Sequence, residues 1–162
     1  MLNKEERKKR LEEIIQIRQE KQKEQEDERK RKEIIDLFVN KNEVEILDAY
    51  ETNIIKKEIS ESFPFAFWSR INWDEMHNKI DLGLNEIKNI ESILSNNGLD
   101  ISKPVYLRLA YDQYPCAKTN LRNILNSLDE VMSIGVDQYV YCRSPKYIIE
   151  FFHDDIITIG WY

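Results

Sequence analysis

Long hydrophobic runs are absent from the sequence, and glycine, proline, cysteine and histidine are scarce. No segment reaches the ~18 consecutive apolar residues that indicate a membrane-spanning helix. Only 4 Gly and 4 Pro occur among 162 residues, which excludes collagen-like chains and Pro/Gly-rich disordered chains. The start of the chain, residues 1–6, lacks the apolar core of a secretory signal. We therefore expect a cytoplasmic protein that has no contact with a membrane.

The residues that most often carry catalysis or bind metals are also few. The only cysteines are Cys116 and Cys142, and the only histidines are His77 and His153, at spacings that match no zinc site. We expect two buried or half-buried thiols and no disulfide. The phosphate-binding, zinc-protease and serine-hydrolase strings GxGxxG, GxxxxGK(S/T), HExxH and GxSxG do not occur. The sequence therefore predicts a protein that is not an enzyme and has no cofactor or metal.

One enzymatic alternative stays open at the sequence level. Carboxylates near a histidine are the ligands of metal-dependent hydrolases. The chain places four carboxylates and His153 close together in sequence: Asp137, Glu150, Asp154 and Asp155. A turn histidine beside turn aspartates is, however, usually structural, because aspartate favours turns by bonding its own backbone.

Charge is unevenly distributed along the chain. Residues 1–35 hold 12 basic and 10 acidic side chains, whereas residues 36–162 hold 12 basic and 20 acidic ones, a net charge of −8. Nucleic-acid affinity rests on neutralising phosphates, so the acidic part of the chain should repel nucleic acids. It should attract a basic protein partner instead.

The N-terminal segment, residues 1–39, is predicted to be a long charged helix. It lacks Gly and Pro, and it contains favourable acid-to-base pairs four residues apart, such as Glu5–Lys9 and Glu26–Lys30. Beyond Met1 and Leu2, its apolar residues lie only at 11–17 and 34–39, so it fails the test for a continuous coiled coil. Partial disorder is one alternative, and a structural protein that oligomerises through this helix is another. The oligomeric state cannot be deduced from this pattern.

Residues 40–162 are predicted to form an acidic α+β body. Asn42 followed by Glu45 suggests a capped helix start, and Pro64 marks a stop. Apolar spacing predicts helices over about 43–60, 84–96 and 119–132. Period-two alternation predicts a strand over about 105–111. The segments at about 138–144, 147–153 and 156–161, separated by turns at 144–146 and 154–155, are predicted to be three more strands. The fold class is thus α+β, with a long N-terminal helix and a two-layer body. In that body the helices pack on one face of a mainly antiparallel four-stranded sheet.

The outer face of this sheet is the predicted binding surface. If Tyr147 and Ile149 face the helices, then Glu150 faces outward, and Tyr106 points the same way from the first strand. The alternative is that the N-terminal helices cover this face. Trp68 lies in an aromatic segment that either plugs the core or anchors a partner. The predicted partner-binding residues are Asp112, Tyr114, Glu150, Asp154, Asp155, Tyr106 and Trp68.

Two segments carry a resemblance to a known family. PVYLRLAYDQYPCAKTN (104–120) and YIIEFFHDDIITIGWY (147–162) resemble the small acidic immunity proteins of bacterial polymorphic or contact-dependent toxin systems. The shared features are a compact α+β body, aromatic strands and a final hairpin that ends in Gly-Trp-Tyr. The resemblance implies a protein that neutralises a cognate toxin, often a basic nuclease, by occluding it with an acidic surface.

Overall fold

A computed structural model describes residues 3–66, 70–110 and 113–162. It contains a long N-terminal helix followed by an α+β body. The helices are α1 (Lys4–Asp36), α2 (Ala49–Ser62), α3 (Ile90–Asn96), α4 (Leu121–Asn126) and α5 (Leu128–Ser133). The strands are β1 (Glu45–Ile46), β2 (Asn78–Gly83), β3 (Val105–Leu109), β4 (Ala117–Thr119), β5 (Gln138–Cys142), β6 (Tyr147–Phe152) and β7 (Ile156–Trp161).

Helix α1 confirms the predicted long charged helix. Asn3 caps its start, because the Asn3 side chain accepts from the Glu6 amide while the Asn3 amide donates to the Glu6 carboxylate at 2.8 Å. Residues 3–29 are exposed, and Ile34 is the buried residue of the helix. Among the described residues, no helix combines the length and hydropathy needed to cross a membrane. The helix therefore contacts the body mainly through its last two turns.

The second helix begins later than predicted. Residues 45–46 form strand β1, and the capping box is made by Asp48 and Glu51, not by Asn42 and Glu45. The predicted start was wrong because Glu45 and Ile46 pair with Lys118 and Ala117 of β4 as an extended segment. The predicted end is confirmed, since Phe63, the residue before Pro64, is extended and follows the last helical residue.

The other helices are shorter than predicted. Residues 84–89 form a 3₁₀ helix, and only Ile90–Asn96 is α-helical. The segment predicted as one helix over 119–132 is divided at Ser127 into α4 and α5. Asn120 caps α4 by accepting from the amide of Asn123 at 2.8 Å, as its sequence position suggested.

The antiparallel sheet has seven strands in the order β1-β4-β3-β5-β6-β7-β2, so the predicted four-stranded sheet was too small. The four predicted strands form its centre, and the pairings β3–β5, β5–β6 and β6–β7 are antiparallel. The strands absent from the prediction are β1, β2 and β4. Two of them have only two or three residues, too few to display a period of two.

Both faces of the sheet are covered. On one face α1, α3, α4 and α5 pack against the side of the sheet that carries Tyr147, Ile149 and Phe151. On the other face α2 and residues 63–66 and 70–76, hereafter the covering segment, pack against the side that carries Tyr106 and Ile148. The predicted alternation of faces is therefore confirmed. The arrangement with all helices on one face is wrong, because α2 buries its apolar stripe on the opposite one.

Candidate functional site

A row of polar side chains crosses five strands on the face under α2 and the covering segment. The register places Arg108 of β3 opposite Tyr139 of β5, and Tyr139 opposite Glu150 of β6. Glu150 in turn lies opposite Thr158 of β7, and Thr158 opposite Asp81 of β2. The Thr158 hydroxyl donates to Asp81 Oδ1 at 2.8 Å. Polar groups thus run from inside the sheet to the exposed edge strand β2.

Glu150 is the buried centre of this row, with an exposed fraction of 0%. Its Oε1 accepts hydrogen bonds from Arg70 Nε and Trp73 Nε1, both at 3.0 Å. Burial raises the pKa of Tyr139, and the charge of Glu150 raises it further. The expectation that Glu150 is exposed was wrong because the covering segment supplies an arginine and an indole that bury it.

Arg70 connects this buried centre to the end of strand β6. Its guanidinium carbon lies 3.7 Å from the centroid of the Phe152 ring, within the range of a cation–π contact. The Phe152 ring in turn lies 4.0 Å from the ring of His153. Phe152 is the last residue of β6 and His153 is the first residue of the turn to β7. A continuous series of contacts therefore joins the buried Glu150, through Arg70 and Phe152, to the exposed His153.

Residues 153–155, hereafter the acidic turn, are exposed at one end of the sheet. His153 Nδ1 lies 3.1 Å from Asp137 Oδ1, and its Nε2 lies 3.6 Å from Asp154 Oδ1. Asp155 has a φ of 61°, in the left-handed region that aspartate and asparagine tolerate better than most residues. Two carboxylates, those of Asp137 and Asp154, thus lie beside one imidazole.

A cleft of about 700 Å³ lies beside the acidic turn. Residues 70–74 form one wall, residues 79–83 of β2 a second, and residues 155–158 a third. Trp73 and Ile156 give it apolar surface, and Asp155 belongs both to the cleft and to the acidic turn. Turn and cleft are therefore one continuous surface with carboxylates beside an aromatic wall.

The structure separates the residues predicted to bind a partner. Asp154 and Asp155 are exposed and adjacent, as expected. Tyr106 is only 8% exposed, because it packs in the apolar cluster under α2, and the Arg143 guanidinium lies 5.0 Å from its ring. Tyr114 is half-buried and its hydroxyl donates to Glu33 Oε1 of α1 at 3.1 Å; burial raises its pKa.

Two predicted residues, Asp112 and Trp68, lie outside the described residues. The amide of Ala110 donates to the carbonyl of Asp137 at 2.9 Å, so residue 110 lies at the same end of the sheet as Asp137. Sequence reasoning missed Arg70 and the cleft. Two signals were available in the sequence. One was an arginine in an otherwise aromatic segment, and the other was a glutamate in an apolar strand.

Metal chemistry gains no support from the geometry. Within residues 3–66, 70–110 and 113–162, no group of three or more His, Cys, Asp or Glu side chains is placed to hold an ion. Both cysteines are free and buried, and burial raises the pKa of Cys116 to about 11. What the site offers is a charged, partly aromatic surface on a two-sided sheet, which is an arrangement suited to binding a protein.

Comparison with known families agrees with this picture of an α+β binding protein. The family model described as CdiI immunity protein EcoliA0-like matches residues 33–160, so this chain belongs to that family. It is an immunity protein of a contact-dependent toxin system, and its partner is a toxin. A search of curated proteins found no match. The matched residues contain all of the sheet except Trp161, the last residue of β7, and exclude most of α1.

Proposed function

We propose that this immunity protein neutralises its toxin by occluding it with the acidic turn and the adjoining cleft. The observation that carries the proposal is the position of Asp155, whose side chain belongs to the exposed turn and also lines the cleft of about 700 Å³. This surface offers carboxylates at its rim, and its wall is lined in part by Trp73, which is 8% exposed, and by Ile156. Interfaces combine these two elements as a polar rim around an aromatic centre.

The charge of the chain supports a basic toxin surface as the partner. Residues 36–162 carry a net charge of −8, which would attract and orient a cationic protein before contact. In this proposal the immunity protein acts by binding and not by catalysis. A cytoplasmic location is part of the same proposal, and fractionation of cells that carry the natural gene would test it.

The test replaces Asp154 and Asp155 together by asparagine. Asparagine retains the shape of aspartate and tolerates the positive φ at residue 155, so the turn should persist while two charges are lost. The matched control replaces Glu13 and Glu24 by glutamine, which removes two charges from the exposed part of α1.

The measurement is the association rate with the cognate toxin domain at low and high salt. We expect the turn variant to associate about three- to tenfold more slowly at low salt, with a difference that shrinks as salt screens the charges. The control should match the unmodified protein. Equal rates for the turn variant and the control at every salt concentration would overturn the proposal.

A further inference from the structure

We propose that Glu150, although buried, is a positioning residue for the acidic turn and acts on it through Arg70 and Phe152. The positioning itself is a property of this chain. Its consequence for toxin binding rests on the proposed function, in which the acidic turn contacts the toxin.

The first step joins the covering segment to the sheet. One oxygen of Glu150, Oε1, accepts from both Arg70 Nε and Trp73 Nε1 at 3.0 Å, and the Glu150 side chain is fully buried. The buried Glu150 charge depends strongly on its partners, because it cannot exchange them for water. Arg70, with 29% of its side chain exposed, is therefore held in one orientation at the boundary between core and solvent.

The second step passes from Arg70 to the start of the turn. Glu150 and Phe152 lie two residues apart on β6, so their side chains project from the same face of the sheet. With its Nε directed at Glu150, the Arg70 guanidinium lies over the Phe152 ring at 3.7 Å. The carbonyl of Phe152 also accepts from the amide of Asp155 at 3.1 Å, which closes the turn.

The third step concerns the opposite side of the turn. His153 is held by Asp137, which lies 3.1 Å from its ring Nδ1 and accepts from its backbone amide at 3.4 Å. Asp137 thus restrains the turn on one side. On the other side the turn is restrained by Phe152, whose ring packs against the Arg70 guanidinium. Removing Arg70 or the charge that orients it should leave one side of the turn unrestrained.

The same sheet face offers a matched control. Arg143 forms two 2.7 Å hydrogen bonds to Glu58 and lies 5.0 Å from the Tyr106 ring, so it repeats the combination of arginine, glutamate and aromatic ring. Arg143 follows β5 at the end of the sheet opposite the acidic turn. An Arg143→Gln variant therefore loses similar contacts without reaching the turn.

The experiment measures amide hydrogen exchange of the full chain in Arg70→Gln, Glu150→Gln and Arg143→Gln. Glu150→Gln keeps an acceptor oxygen for both donors and removes only the charge. A fourth variant, Phe152→Leu, removes the ring and leaves the Arg70–Glu150 pair, so the proposal remains testable if either partner of that pair proves essential for folding. We expect exchange at the Asp155 amide to rise about fivefold when the cation–π contact is weakened or lost. Arg143→Gln should leave it unchanged.

Toxin association is measured on the same variants. Faster exchange at Asp155 together with weaker toxin binding supports both proposals. Faster exchange with unchanged toxin binding supports the positioning role and overturns the proposed function of the turn. Unchanged exchange in Arg70→Gln, Glu150→Gln and Phe152→Leu overturns the positioning role, whatever the toxin affinity.

Discussion

The indole ring of Trp73 lies against the backbone of Gly160, so that a β-carbon at residue 160 would stand 2.6 Å from Cζ3 of the ring. The methyl group of Met76 would be 3.0 Å from the same β-carbon. Gly160 is therefore the position in β7 that allows the covering segment to approach the sheet closely. The same approach brings the Trp73 N–H to Glu150.

Replacing Gly160 by alanine should destabilise the protein, because the buried Trp73 ring would have to move. We expect a loss of about 1–3 kcal/mol in the free energy of unfolding, as for other overpacked sites. Urea denaturation measures it. Gly83→Ala is the control, since its β-carbon would meet mainly the flexible side chain of Asn85 at 3.0 Å. Equal urea midpoints for the two variants would contradict the prediction.

The central strands of the sheet could be predicted from sequence. The elements that pack on each of its two faces could not. Strands β5 to β7 are mainly apolar segments separated by clear turns, so their existence and antiparallel pairing follow from local pattern. Which elements cover each face depends on contacts between residues far apart in sequence. One signal was present, since Tyr-Ile-Ile-Glu-Phe-Phe is apolar on both faces, which is typical of a strand buried on both sides.

The candidate site was predictable only in part. The acidic turn follows from two aspartates between strands, a local pattern. The burial of Glu150 depends on Arg70 and Trp73, about 80 residues earlier in the chain, and no periodicity connects them. Strand β2 displays a short alternation of Ile80 and Leu82 with charged residues, which is a local signal of a strand.

Removal of residues 1–28 should leave the body folded. Residues 3–29 are exposed, whereas the contacts of Glu33 with Tyr114 and of Arg31 with the carbonyl of Ile46 are retained. We expect the free energy of unfolding to change by less than about 1 kcal/mol, because stability follows the burial of the removed backbone. Thermal unfolding measures this change. Loss of the cooperative unfolding transition on truncation would contradict the prediction.

The same truncated protein tests the prediction that α1 mediates assembly. The exposed apolar residues Leu11, Ile14, Ile15 and Ile17 all lie in the removed segment. If these residues join copies of the chain, the mass in solution measured by light scattering should fall to that of one truncated chain. A mass per particle that corresponds to the same number of chains before and after truncation would exclude assembly through α1.

Both cysteines should be unreactive in the folded protein. Burial raises the pKa of Cys116 to about 11 and also raises the pKa of Cys142. At pH 8 the thiolate form of Cys116 is then about one part in a thousand, against about a quarter for an ordinary cysteine. Ellman's reagent should react rapidly with two thiols in concentrated urea and only slowly in buffer. Rapid reaction of the folded protein would contradict the prediction.

Stability should fall in alkaline solution. Burial raises the pKa of Tyr139 and Tyr147, so the folded state favours the neutral phenols more than the unfolded state does. Their contribution is fully present below the unfolded pKa of about 10 and is lost as pH rises beyond it. Urea midpoints between pH 8 and pH 11 should therefore decline, and Tyr147→Phe should flatten the decline. If the urea midpoints of the unmodified protein and of Tyr147→Phe declined equally with pH, the prediction would be contradicted.

The exposure of α1 has a hydrodynamic consequence. At 1.5 Å per residue, the exposed stretch 4–29 forms a rod about 39 Å long, comparable to the diameter of a small domain. A molecule of 19.5 kDa with such a rod diffuses more slowly than a sphere of equal mass. It should therefore elute from a sizing column earlier than a compact protein of the same mass. A mass calculated from the elution volume alone would suggest a dimer even for a single chain.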